Sequence, residues 1–146
     1  MRRFALVSIM MAVSAATFAA DQLDGSVWRT IDDKTGKPRA MVKFTETNGS
    51  LSGTVQSLLD KNATKVCEKC TGNLKNKPVV GMTLVHGLRA VDGVKNSYDY
   101  GSILDPKSGK TYKLKGTLSD DGKTFNLRGY LGVSLLGRNQ VWQRVQ

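Results

Sequence analysis

Beyond residue 20, hydrophobic and polar positions alternate with a period of two, and turn residues interrupt them at short, regular intervals. That pattern predicts an antiparallel β meander rather than helices. The clearest strand is predicted over Thr111–Ser119, with Tyr112, Leu114 and Leu118 on one face and Lys113, Lys115 and Thr117 on the other. The next repeats the grammar with Phe125, Leu127 and Leu131 opposite Asn126 and Arg128. Asp120-Asp121-Gly122-Lys123 between them makes a hairpin loop, where glycine takes a positive φ without a steric cost. The same reading gives about eight strands: Val27–Ile31, Ala40–Thr47, Leu51–Leu58, Val80–Val91, Ser97–Leu104, Thr111–Ser119, Thr124–Gly132 and Asn139–Val145. The expected fold is all-β, a single up-and-down barrel, because closure removes both exposed sheet edges. Gly53, Gly101, Gly116 and Gly129 fall inside predicted strands and read as bends at the corners of a small barrel.

The segment before the meander has a different grammar. Arg2 and Arg3 precede an apolar run from Phe4 to about Ala16, and Thr17 and Ala19 place small residues where a signal peptidase needs them. Residues 1–19 are therefore expected to be a cleaved signal peptide, and 20–146 the barrel domain of a periplasmic or secreted protein. The run is interrupted by Ser8 and Ser14 and falls short of the roughly 20 apolar residues of a spanning helix. Ala20, not a cysteine, stands directly after the cut, which argues against a lipid anchor.

The chain carries a net charge of +10, or +8 once Arg2 and Arg3 are removed. Its lysines fall in turns and on polar strand faces, where they read as a solubilising surface. The alternative is a cell-envelope interaction module whose basic turns and cysteine loop meet an acidic membrane surface or envelope partner. Export discounts nucleic acid as a partner, and no feature of the sequence sets an oligomeric state.

Residues 59–77 break the alternation and hold both cysteines, in Cys67-Glu68-Lys69-Cys70. Long irregular connections of this kind serve as lids, binding loops or tethers. In an exported protein the pair reads first as a structural disulfide. A redox-active pair lacks the expected helix and βαβ context, and a metal site would need further ligands. His86 has no nucleophile elbow beside it, and the Gly-Lys pairs at 36–37, 109–110 and 122–123 lack the earlier glycine of a phosphate loop. No catalytic constellation, cofactor motif or metal-ligand set emerges.

Several segments resemble the bacterial domain-of-unknown-function family 2147. They are Val27-Trp28-Arg29-Thr30, the Cys67–Cys70 loop, Gly101–Tyr112, Leu127–Gly132, Leu136-Gly137-Arg138 and Gln140–Val145. The resemblance implies an exported, lipocalin-like barrel and no particular activity. A weaker similarity to lipocalins at large implies that Trp28 is covered by a late cation, Arg144 or Arg138, closing the barrel base. Gly25 stands one residue further from Trp28 than the lipocalin pattern has it. The expected function is non-enzymatic binding of a small hydrophobic or lipid-like ligand. From alternation alone, Tyr98, Tyr100, Tyr112 and Phe125 are the candidate cavity lining.

Overall fold

The computed structural model describes residues 9, 11–14, 19–135 and 137–146. Most of the expected signal peptide, and Leu136, lie outside the described residues. Eight strands form: β1 (Val27–Ile31), β2 (Pro38–Thr47), β3 (Ser50–Leu58), β4 (Thr83–Ala90), β5 (Ser97–Asp105), β6 (Lys110–Leu118), β7 (Thr124–Tyr130) and β8 (Gly137–Arg144). Each pairs antiparallel with its neighbours in sequence. β1 also pairs with β8, Trp28 opposite Arg144 and Arg29 opposite Gln143, so the sheet closes into a barrel without edges. Strand β4 begins at Thr83 rather than Val80, because residues 79–82 form a turn in which the Met82 amide donates to the Val79 carbonyl at 3.0 Å.

Alternation selects the inward residues. Trp28, Val42, Phe44, Leu51, Val55, Val85, Leu88, Tyr98, Leu114, Leu118, Phe125, Leu127 and Trp142 are all buried in one continuous core. All four strand glycines belong to this inward face, and register irregularities of the kind that bend a strand fall beside Gly53 and Gly101. A Cβ on Gly53, Gly101 or Gly116 would come within 3.0 Å of Val85, Leu88 or the Leu127 and Phe125 side chains respectively. Gly53, Gly101 and Gly116 make room for bulky inward side chains on the adjoining strands.

Register irregularities occur in several strand pairs, and the one in β5 reverses the phase of a strand that carries candidate lining residues. Between the pairs Tyr98–Gly116 and Gly101–Leu114, β5 advances three residues while β6 advances two. The extra residue is a bulge at Tyr100, which takes φ 66°, and its amide donates to Asp99 Oδ1 at 2.7 Å. Tyr98 therefore points inward, Tyr100 points outward, and Gly101 takes the inward position after it.

The end of the barrel that carries residues 21–26 and the C-terminal residues is sealed. Residues 21–26 cross it, with Leu23 and Ser26 buried. Above them Phe125 packs against Trp28, Phe44 and Tyr98 at ring-centroid distances of 5.6, 6.0 and 5.6 Å. Trp28 Nε1 donates to Ser26 Oγ at 2.7 Å, and the Tyr98 hydroxyl donates to Asp21 Oδ1 at 2.9 Å. Arg144 lies 5.5 Å from the Trp28 ring centroid and donates to the Gln22 and Gly122 carbonyls at 3.1 and 3.3 Å. That cation–π contact contributes about 0.5–2 kcal/mol, and Arg144, not Arg138, makes it.

Candidate functional site

The opposite half of the barrel is hollow. A cavity of about 390 Å³ opens between the β1–β2, β3–β4, β5–β6 and β7–β8 connections, a volume within the range of small-molecule sites. Its floor is Val42, Val55, Leu114, Leu127 and Trp142, the layer directly above the aromatic cluster. Its walls include Leu58, Leu84, Ile103 and Tyr112. Gly129 also faces it, and here a Cβ would meet nothing closer than 3.6 Å. The inward face of β8 carries the transition from mouth to base. Arg138 and Gln140 stand at the mouth, Trp142 at the floor and Arg144 at the seal.

The polar groups gather at the rim. Arg138 grips Asp33 with Nε and Nη2 at 3.0 and 2.5 Å, and Arg39 pairs with Asp32 at 2.9 Å. The Arg138 guanidinium holds the Asp33 carboxyl below its ordinary range, and that carboxylate raises Arg138 in turn. Two acids of the β1–β2 loop thus fix one arginine on each flanking strand, Arg39 of β2 and Arg138 of β8, at the rim. Lys107 lines the rim from the β5–β6 hairpin and is exposed. Trp142 Nε1 is satisfied by Gln140 Oε1 at 3.0 Å, so an indole can sit in an apolar floor without an orphaned donor.

The cysteine connection builds one wall of the mouth. Cys67 and Cys70 form a disulfide, Cα atoms 5.3 Å apart, and both are buried with Met82, against which Leu84 and Leu104 pack. The loop folds back on itself through a bridge between Val66 and Pro78 and a hydrogen bond that the Cys67 backbone amide donates to the Lys77 carbonyl at 2.9 Å. It seats against the β5–β6 hairpin. Cys67 Sγ is 3.5 Å from the Pro106 carbonyl oxygen, and Gly109 abuts the Lys69–Cys70 peptide closely enough to leave no room for a side chain. From this braced loop Ala63, Thr64 and Val79 reach the cavity.

Of the four aromatic residues proposed as lining, Tyr112 alone faces the cavity. Tyr98 and Phe125 belong to the filled half, and Tyr100 is 73% exposed on the outer surface because the bulge inverts its face. Alternation places Leu127, Gly129 and Trp142 on strands, but their depth in the barrel follows only from strand register. His86 is exposed, its Nε2 3.1 Å from the Thr83 carbonyl, with no part in the site.

A family model for a protein described as "Uncharacterized protein conserved in bacteria (DUF2147)" matches residues 26–144. The chain belongs to the DUF2147 family. That match spans all eight strands, the cysteine loop and every cavity residue named above. No curated protein matches the chain in sequence. Among solved structures it is similar to protein HP1028 from Helicobacter pylori, which is described as belonging to the lipocalin family. The two superpose with a TM-score of 0.73 at 23% identity, over 87% of this chain and 85% of that one. This DUF2147 chain thus has the lipocalin-like barrel that the alternation and the resemblance led us to expect.

Proposed function

We propose that the protein is an exported, non-enzymatic carrier that holds one small hydrophobic or lipid-like molecule in the open half of its barrel. The observation that carries this reading is the division of the interior. Large aromatic side chains fill the sealed half, while the half beneath the loops keeps an apolar cavity with its charges confined to the rim. Such a cavity loses little by desolvating polar groups and gains the area of whatever apolar ligand enters. The buried disulfide supports a bracing role for Cys67 and Cys70. Export is supported by the anatomy of residues 1–19 and by Ile9, Met11 and Val13, which are 82%, 88% and 89% exposed and add nothing to the core.

Native mass spectrometry of the chain lacking residues 1–19, before and after organic extraction, tests the proposal. Among the described residues, all strands and core contacts lie outside that segment. A bound mass that extraction removes is the expected result, with N-phenylnaphthylamine fluorescence rising on the extracted protein. Gly129→Leu, which points a side chain into the cavity, should abolish the dye signal while the fold melts as before. No bound mass and no dye uptake by the extracted barrel would overturn the reading.

A further inference from the structure

The lysines that look scattered in the sequence are sorted by the topology. The connections around the cavity mouth, residues 32–37, 59–82, 106–109 and 131–136, contain eight lysines and four acids, a net of +4. The segments at the sealed end, residues 21–26, 48–49, 91–96 and 119–123, contain two lysines and five acids, a net of −3. The barrel is therefore polarised along its axis, with the positive end at the opening. A negatively charged surface would turn that end toward itself.

The same end presents apolar side chains to water. In the β7–β8 connection Leu131, Val133 and Leu135 are 53%, 59% and 86% exposed. A single exposed aliphatic residue needs no explanation, but three within five positions at the rim of a cavity form a patch. Nor are they loosely placed. Arg128 donates from Nε to the Ser134 carbonyl, from Nη2 to the Leu135 carbonyl at 3.1 Å, and from Nη1 to Asn139 Oδ1 at 2.7 Å. One guanidinium on β7 thus pins the loop backbone in the arrangement that displays these residues. Leu131 belongs to both surfaces, since it also lines the cavity.

We propose that the open end docks on an anionic lipid bilayer. Val133 and Leu135 enter the boundary between headgroups and acyl chains while the surrounding lysines face lipid phosphates. An acidic glycan would match the charge but has no use for the aliphatic loop, which is why a bilayer is the partner that fits. Docking mouth-first would let an apolar molecule pass between bilayer and cavity without crossing water. In this the inference deepens the carrier reading, yet it rests on the loops rather than on the cavity.

Vesicle flotation of the chain lacking residues 1–19 tests it, with phosphatidylcholine alone and with phosphatidylcholine containing phosphatidylglycerol. Binding is expected only to the second and should fall as salt rises. Each lysine near an anionic surface adds roughly fivefold to partitioning. Lys65→Glu with Lys107→Glu at the mouth should therefore weaken binding by at least about 25-fold. Lys95→Glu with Lys123→Glu makes the same change in net charge at the sealed end. Those sites lie about 20 Å away along the barrel axis, beyond the ~10 Å screening length, so this pair should leave binding nearly unchanged. Val133→Ser with Leu135→Ser should weaken binding without altering dye uptake. Equal losses from the two lysine pairs, or no binding to the anionic vesicles, would overturn the proposal. Loss of salt-sensitive binding by the mouth lysine pair but not by the serine pair would overturn lipid insertion and reassign the face to a soluble polyanion. Vesicle binding by a barrel that takes up no dye would refute the carrier reading alone.

Discussion

Gly116 and Gly129 are inward glycines of adjacent strands, indistinguishable by sequence pattern, and they should respond in opposite directions to the same methyl group. Neither has a positive φ, so alanine is conformationally acceptable at both and gains about 0.4–1 kcal/mol by restricting the unfolded chain. At Gly129 the new Cβ would rest at 3.6–3.9 Å from Tyr112, Ile103 and the Lys113 carbonyl, which is ordinary contact. At Gly116 it would fall 2.7 Å from both Leu127 Cδ2 and Phe125 Cε2, and 3.0 Å from the Asn126 carbonyl oxygen. The Phe125 ring cannot yield cheaply, because Trp28, Phe44 and Tyr98 hold it on three sides. Overpacking a tight core costs about 1–3 kcal/mol, so the net for Gly116→Ala is a loss of about 1–2 kcal/mol. For a domain of this size each kcal/mol moves the melting temperature by about 4 °C. Thermal and urea unfolding of the two variants should therefore show Gly116→Ala melting about 4–8 °C lower. Gly129→Ala should be unchanged or raised by up to about 4 °C. Equal shifts in the same direction would refute the division of the barrel into a filled and a hollow half.

Three further outcomes follow from the seal and the brace. Arg144→Met removes the cation over Trp28 and two donations to loop carbonyls, and should cost about 1–3 kcal/mol in urea unfolding; an unchanged midpoint would show that the seal contributes nothing. Reducing Cys67–Cys70 opens a very small ring and should cost no more than roughly 2 kcal/mol. The barrel's circular dichroism should persist while limited proteolysis begins within residues 59–82, and global unfolding on reduction would contradict the bracing role. Burial, together with its hydrogen bond to Asp21, pushes the Tyr98 hydroxyl well above its ordinary value. The stability that depends on the protonated form is thus complete below the unfolded pKa of about 10 and is lost as pH rises toward the folded value. Urea midpoints measured with rising alkalinity should decline more steeply for the native chain than for Tyr98→Phe.

Much of the architecture was legible because alternation, turns and barrel closure are local or counting arguments. Eight strands with short hairpins leave few ways to satisfy both edges. The site was less legible, for reasons that Tyr100 and Gly129 illustrate. Tyr100 shares the parity of Tyr98, so a strict period of two puts them on one face, and only the extra residue that β5 inserts against β6 reverses it. Gly101, buried beneath Leu88, is the sequence trace of that event, since a glycine follows where the inward space is already taken. For Gly129 the missing information is depth. Whether an inward residue meets the aromatic layer or the cavity depends on register across several strands, which no single strand encodes.

Charge placement was hidden for a different reason and could have been recovered. In an up-and-down barrel, consecutive connections alternate between the two ends, so the first, third, fifth and seventh loops of an eight-stranded barrel share one mouth. Once the strands are assigned, each lysine can be given an end from parity alone, without knowing the register. Read along the chain, the basic residues interleave with acids and resemble a uniform solvated surface. Sorted by parity, the cysteine connection joins the β5–β6 hairpin and the aliphatic β7–β8 loop, and the acids of residues 21–26 join those of the β6–β7 turn. The polarity is thus a property of alternation in the fold, and moving charges between loops of like parity should leave it intact. Exchanging charges between neighbouring loops of opposite parity would erase it at constant composition, which separates an oriented docking face from a merely basic protein.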